Sequence, residues 1–567
     1  MRTRILNSQF LIVNVLAVAL PAATAGAQSR PNAGATCNRA CLVAMVDQYL
    51  DALVAHDPFG LPLAPVVRFS ENDQVLPLGD GLWNTATGRG TYRVVAADPT
   101  RGQVAFFGTL RENDSPITAT IRLKVEKGRI SEIETTVLRE GGAPNGPPPL
   151  AVRLEQGSPD ALLVETVPAA ERVSRDTLLT AANTHFDALE HQEDRTVYPR
   201  RYPVVDEERQ IVLGAVMLQD AGDTERRTAP AFFDRIHLLR VKGGKVAQDE
   251  GVTVSLPFGT ATPFFSGDWR KGNRSPSAFP AVARTAPTIS TGPCDRACLE
   301  GHVNAYLAAM VAHDPSRLPL AASVRFTEND VPLRLGDAAW RTVTALGTYK
   351  LYVVDPPAGQ VGFFGTIREN GRPAALVLRL KIDNGAISEA ETLVVRNEGT
   401  ANNLEKAGAP DPVLLETVPP SERLPRATLI ATTNTYFEAI EQGNGAVAPF
   451  AADCNRFENG VQTSGPLGCS AQLDTKTFDY IQKIHPRRFP VVDQERQIVF
   501  GFFMFHHPGD ILWVNAGGGR REMFGAAKRP LSVDVAELFR IKDKRIRKVE
   551  ALMQGLPYGA RSPFVPQ

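Results

Sequence analysis

Slid along itself by 257 positions, the chain matches residues 37–134 onto 294–391 without a gap. CNRACLVAMVDQYLDALVAHDP returns as CDRACLEGHVNAYLAAMVAHDP, and Tyr49, Arg68 and Trp83 fall on Tyr306, Arg325 and Trp340. A gapless match of this length is a folded domain duplicated, because solenoid repeats have far shorter periods. A second pair follows the first. LLVETVPAAERVSRDTLLTAANTHFDAL returns as LLETVPPSERLPRATLIATTNTYFEAI, and PRRYPVVDEERQIVLG returns as PRRFPVVDQERQIVFG. Each half therefore holds two units, which suits 567 residues, too many for one hydrophobic core. The expected domains are 37–140, 160–270, 294–398 and 411–567, with a linker at 271–293. The Gly- and Pro-rich stretch 141–152 reads as another linker. The second unit is truncated, since its helix runs through EHQEDRTVY almost directly into PRRYPVVD and skips a segment that the fourth unit keeps.

Within unit 1, Leu42, Met45, Val46, Tyr49, Leu50 and Leu53 recur at three- and four-residue steps and predict a helix ended by Pro58. Stretches 66–71, 91–96, 103–111, 118–125 and 130–138 are β-rich and bounded by turn residues. The fold class expected is α+β, one helix with a curved antiparallel sheet per unit. Lys+Arg and Asp+Glu both number 62, so no net field gathers nucleic acid or an anionic membrane. Residues 1–27 read as a signal peptide, with Arg2 and Arg4 before an apolar run and Ala25-Gly26-Ala27 at the end. No later run reaches the ~20 apolar residues of a spanning helix, so an exported soluble protein, periplasmic or extracellular, is expected. Export favours disulfides, and the six cysteines fall into three local pairs: Cys37 with Cys41, Cys294 with Cys298, Cys454 with Cys469. His506 and His507 are adjacent in a strand and face opposite sides, so no metal site is expected there. No cofactor motif stands in a supporting context.

The order of helix, His/Gly-Asp turn, short segment ending in an acid (VRFSEN, VRFTEN, NRFEN) and long strands resembles the SnoaL-like and ketosteroid-isomerase members of the nuclear-transport-factor-2-like superfamily. The phrases YLDALVAHDP and RFSEN also resemble a group of exported proteins without an assigned activity. The resemblance implies four tandem cystatin-like α+β cones, two per duplicated half. It implies packing sheet to sheet as internal pseudo-dimers, in a protomer that needs no partner. It further implies a cofactor-independent lyase or isomerase for a small, partly apolar molecule. The family's helix tyrosine falls on Tyr49, Tyr306 and Tyr436, and its carboxylate base falls near Glu71, Glu328 and Glu458; His185 replaces the tyrosine in unit 2. A glutamate in an apolar pocket accepts protons near neutrality, while a tyrosine hydroxyl stabilises the oxyanion.

Arg68, Arg325 and Arg456 are candidates to anchor a substrate carboxylate, and Trp83 and Trp340 to cover a pocket mouth. Each role has a structural competitor. A helix tyrosine is commonly core, Glu-Asn-Asp can close a hairpin, strand arginines pair with nearby carboxylates, and the tryptophans can fasten a loop. His56 and His313 fit the C-terminal end of a helix dipole. The other functional classes left open are a noncatalytic carrier or sensor using the same cavities, and a protein-interaction scaffold.

Overall fold

The computed structural model describes residues 37–140, 146–269, 294–481, 483–516, 519–523 and 525–565. The expected signal peptide and the linker 271–293 lie outside them. Helix α1 (Arg39–Val54) starts where the Asn38 side chain accepts the Cys41 N–H, and it buries Leu42, Met45, Val46, Tyr49, Leu50 and Leu53. The chain leaves the helix through His56 at φ 55°.

Six strands follow: β1 (Leu63–Glu71), β2 (Gln74–Val75), β3 (Ala86–Asp98), β4 (Gln103–Glu112), β5 (Ser115–Glu126) and β6 (Arg129–Leu138). Their order is β2-β1-β6-β5-β4-β3, with β1 parallel to β6 and the remaining pairs antiparallel. Asn72-Asp73, Asn113-Asp114 and Lys127-Gly128 close three two-residue hairpins with φ positive at both residues, the geometry that follows strand twist. The strands outrun their sequence pattern, β3 most of all, because the residues added to 91–96 pair with β4 at its far ends.

Between units, α2 (Leu150–Glu155) and α3 (Ala161–Val164) precede unit 2. The stretch expected to be a linker thus becomes helical at Leu150, and Arg111 holds α2 to β4 through Glu155 at 2.7 Å. Unit 2 comprises α4 (Arg175–Glu193), β7 (Thr196–Asp206), β8 (Ile211–Asp220), β9 (Ala231–Lys242) and β10 (Lys245–Leu256), in the order β10-β9-β8-β7. It lacks the first two strands of unit 1. Unit 3 repeats unit 1 as α5 (Arg296–Val311), β11 (Leu320–Glu328), β12 (Val331–Leu333), β13 (Val343–Asp355), β14 (Gln360–Glu369), β15 (Arg372–Asp383) and β16 (Ala386–Val395), with the same strand order.

Helix α6 (Glu398–Ala407) leads to unit 4. Its elements are α7 (Arg426–Glu441), β17 (Phe450–Glu458), β18 (Val461–Gln462), α8 (Gly468–Asp474), β19 (Lys483–Asp493), β20 (Ile498–His507), β23 (Leu531–Lys542) and β24 (Arg545–Leu556). A separate hairpin, β21 (Trp513–Ala516) and β22 (Gly519–Glu522), is inserted after β20.

The sheets of units 1 and 2 bury Tyr92, Val94, Phe107, Leu213, Ile236 and Leu238 between their faces, and those of units 3 and 4 bury their counterparts. Asp206 and Asp493, buried at the two seams, are paired on both oxygens, as buried charge requires. Asp206 accepts from Arg39 at 2.7 Å and from the Ala97 N–H at 3.0 Å, and Asp493 accepts from Arg296 at 2.7 Å and from the Val354 N–H at 3.1 Å. The halves also touch. Asn113 donates to the Gly509 and Lys528 carbonyls, and Asn370 to those of Asp223 and Thr228.

The six cysteines form the three expected pairs. Cys454–Cys469 closes a separation of 15 residues and fastens β17 to α8. Replacing both by Ser is expected to lower the stability of unit 4 by about 3 kcal/mol, as loop entropy is restored to the unfolded chain. Urea denaturation checks this, and an unchanged midpoint would contradict it. Among the described residues no helix is long and apolar enough to cross a membrane.

Candidate functional site

In units 1 and 3 the expected tyrosine and glutamate lie on the same side of the sheet, inside the core. Tyr49 and Tyr306 are buried, and their rings meet Trp83 and Trp340 edge-on at 5.3 and 4.8 Å. The Trp340 indole N–H donates to the Tyr306 hydroxyl at 2.9 Å. Burial drives both phenol pKa values up, and the nearby Glu71 and Glu328 charges add to the rise. The tryptophans are themselves buried in these cores. They fasten the loop and do not cover a mouth, which corrects the flap expected of them. His56 and His313 reach the carbonyls of the same tryptophans through Nδ1, a loop tie in place of the expected helix-end contact.

The glutamates are clamped. Glu71 accepts the Leu82 N–H at 2.7 Å and the Arg139 guanidinium at 2.6 Å. Arg139 also holds Glu112 at 2.8 Å, and Glu112 accepts the Thr85 hydroxyl at 2.8 Å. Unit 3 repeats the set: Glu328 takes the Ala339 N–H at 3.0 Å and Arg396 at 2.7 Å, and Arg396 holds Glu369 at 2.8 Å. Burial raises the Glu328 pKa, Arg396 opposes that, and Glu369 adds to it. Each oxygen of Glu71 and Glu328 is committed to a donor, so these glutamates tie the hairpin, the following turn and two strand ends together.

Arg68 and Arg325 point to the opposite face of their strands from Phe69 and Phe326, away from the tyrosines, which corrects their assignment to the same pocket. Their guanidiniums lie over Phe264 and Phe564 at 5.7 and 5.2 Å. These rings belong to the tails that follow units 2 and 4.

Unit 4 departs from this pattern at two core positions. Paired against the last strand, Arg456 lies opposite Val549 and Glu458 opposite Ala551, whereas in unit 1 Phe69 lies opposite Ile133 and Glu71 opposite Thr135. Arg456 thus occupies the inward place of Phe69 and not that of Arg68. A one-residue difference in a strand moves a side chain to the other face. On β23, Glu537 pairs with Ala551, the place of Ile121 opposite Thr135 and of Leu378 opposite Thr392.

The inward groups meet. The Tyr436 hydroxyl donates to Glu537 Oε1 at 3.0 Å and accepts from Arg456 Nε at 2.5 Å, and Arg456 pairs with Glu458. Glu537 is 0% exposed, and its Oε2 has no hydrogen-bond partner among the described residues. Burial pushes its pKa up to about 7, with Arg456 and the Tyr436 bond pulling it back. Phe478, whose ring faces Arg456 at 5.0 Å, and Tyr480 form the outer wall, both half-buried.

His507 faces Tyr480 at 5.0 Å. Burial lowers its pKa to about 4, so it is neutral at pH 7. His506 turns to the other side, bonding Ser532 Oγ at 2.9 Å and the His485 carbonyl at 3.1 Å.

The two stretches 35–137 and 422–553 match a family model described as a domain of unknown function, DUF8021. They correspond to unit 1 and the body of unit 4. No curated protein matches the chain.

Of the expected site residues, the structure joins Tyr436, Arg456 and Glu458, buries Tyr49 with Glu71 and Tyr306 with Glu328 without a hydrogen bond between them among the described residues, and turns Arg68 and Arg325 to the other face of their strands. It adds Glu537. Its sequence signal is weak, one of two acids, with Asp534, in the run VDVAELF. A hollow of about 900 Å3 lies between the halves and is lined by Asp73, Thr260, Trp269, Asp330 and Arg561 among others.

Proposed function

We propose that unit 4 carries the protein's chemistry, a cofactor-independent proton transfer of lyase or isomerase type on a small, partly apolar carbonyl compound. The supporting observation is Glu537, a buried acid where units 1 and 3 bury Ile121 and Leu378. A desolvated carboxyl with an unpartnered oxygen lowers stability relative to an aliphatic side chain, so packing does not explain its presence, while a group titrating near neutrality is what a general base needs.

In this reading the Glu537 carboxylate removes a proton beside the carbonyl. Tyr436, backed by Arg456, donates to the developing oxyanion. The proton then returns at another carbon, or a β leaving group departs. Substrate reaches Glu537 by displacing the Phe478–Tyr480 wall, which Cys454–Cys469 holds at its base.

The strand order, with its parallel first and last long strands around one helix, supports reading units 1, 3 and 4 as cystatin-like cones and unit 2 as a cone that has lost its opening hairpin. Three disulfides support an exported location. Pairing of sheet faces within the chain supports a protomer that needs no partner. A carrier role is the second reading, favoured by the hollow between the halves.

Deuterium wash-in from D2O, followed by proton NMR over a panel of ketones and enones, tests the proposal. The wild-type protein is expected to exchange an α-proton of at least one compound, and Glu537→Gln to lose that exchange. Exchange that persists in Glu537→Gln overturns the assignment. Compounds that raise the melting temperature without exchanging overturn catalysis in favour of carriage.

A further inference from the structure

Unit 2 holds a different trio at the same place in its fold. His185 aligns with Tyr436 through NTHFDAL and NTYFEAI. His237 pairs with Gly214 as Glu537 pairs with Gly501, and Asp249 pairs with Leu239 as Val549 pairs with Phe539. All three residues differ from their unit 4 counterparts, and all three are metal-ligand types. They come from three elements, α4, β9 and β10, and their side chains converge. His185 Nε2 lies 3.1 Å from Asp249 Oδ2, and His237 Nδ1 lies 2.9 and 3.1 Å from its two oxygens. One ligand atom from each lies within 4.8 Å of the others.

Truncation opens this trio. Among the described residues unit 2 has no counterpart of β17 and β18, the strands that flank this side of the central helix in unit 4. The His185 and Asp249 side chains are 26% and 31% exposed. His237 is 9% exposed, held edge-on by Phe186 at 5.2 Å, and its Nε2 is buried without a hydrogen-bond partner. A rigid inner imidazole, a second imidazole and a carboxylate on the solvent side make a three-ligand set with coordination positions left open. That donor set suits zinc and neighbouring divalent transition metals, and not calcium or magnesium, which take all-oxygen shells. The other cluster of ligand types among the described residues, Cys294, Cys298 and His302, has its sulfurs committed to a disulfide.

We propose that His185, His237 and Asp249 form a binding site for a divalent transition metal, zinc by chemical class, in the open face of unit 2. The site is separate from the unit 4 constellation and stands or falls independently of it. Tag-free, chelator-dialysed protein titrated with Zn2+ by calorimetry, and with Co2+ by visible d–d absorption, tests it. One equivalent of metal is expected in the wild type, with affinity reduced at least ~10-fold in Asp249→Ala and in His185→Ala.

His191→Ala, on the exposed last turn of α4, should bind as the wild type does. Because His185 and Asp249 sit at the surface, their removal leaves the fold intact, which circular dichroism confirms in the same samples. Absence of Zn2+ binding at micromolar concentration, or binding unaltered by both substitutions, overturns the proposal.

Discussion

Glu537→Gln is expected to abolish proton transfer and to stabilise the protein above neutral pH. The rate effect follows from removing a positioned base, ordinarily worth about 10²- to 10⁴-fold. The stability effect follows from linkage. Folding raises the Glu537 pKa from 4.5 to about 7, so between those values the folded state binds more protons than the unfolded state, and stability falls as pH rises. The penalty is absent below pH 4.5, grows through the window and is complete above 7. The shift, on a fully buried group, corresponds to roughly 3 kcal/mol. Glutamine keeps the shape and never ionises, so urea denaturation should show the variant equal to the wild type at pH 4 and more stable at pH 8. Equal stability at both values would show that the carboxyl does not titrate in this window.

Arg396→Met carries the second large effect. Arg396 neutralises Glu328 and Glu369 at once, at 2.7 and 2.8 Å, and both carboxylates are buried. Removing the cation leaves two like charges in an apolar interior, and breaking a buried pair from one side typically costs about 3–5 kcal/mol. Arg139→Met should behave alike in unit 1. Adding Glu328→Gln to Arg396→Met should recover part of the loss, because one orphaned charge is gone. A loss below about 1 kcal/mol, the size of a surface pair, would mean that water reaches the cluster and that these glutamates are not locked.

The duplication, the central helices and the three disulfides were legible because each rests on local pattern: three- and four-residue apolar spacing, and cysteine pairs four or fifteen residues apart. The site was legible only in part. Glu71 stands out in sequence, but Arg139, which clamps it, and Glu112, which shares that arginine, come from the ends of other strands, and nothing near Glu71 in sequence announces the clamp.

Arg456 was matched to Arg68 by the shared Arg-Phe, yet the fourth unit has one residue fewer between that arginine and the glutamate. In a strand that difference exchanges surface for core. Glu537 and His237 are each one of several polar residues in their strands, and their meaning depends on which face they take and which helix residue stands opposite. The absence of a metal was argued from His506 and His507, adjacent in sequence. His185 lies 64 residues before Asp249 and His237 lies 12 before it, and the three meet only in the folded unit.

The most direct measurement is an infrared pH titration of the Glu537 carboxyl, taken as the difference between wild-type and Glu537→Gln spectra. Appearance of the protonated C=O band with a midpoint near 7 is the expected result. A midpoint below about 5, the ordinary range for a solvated glutamate, would contradict a neutral-range acid–base site in unit 4.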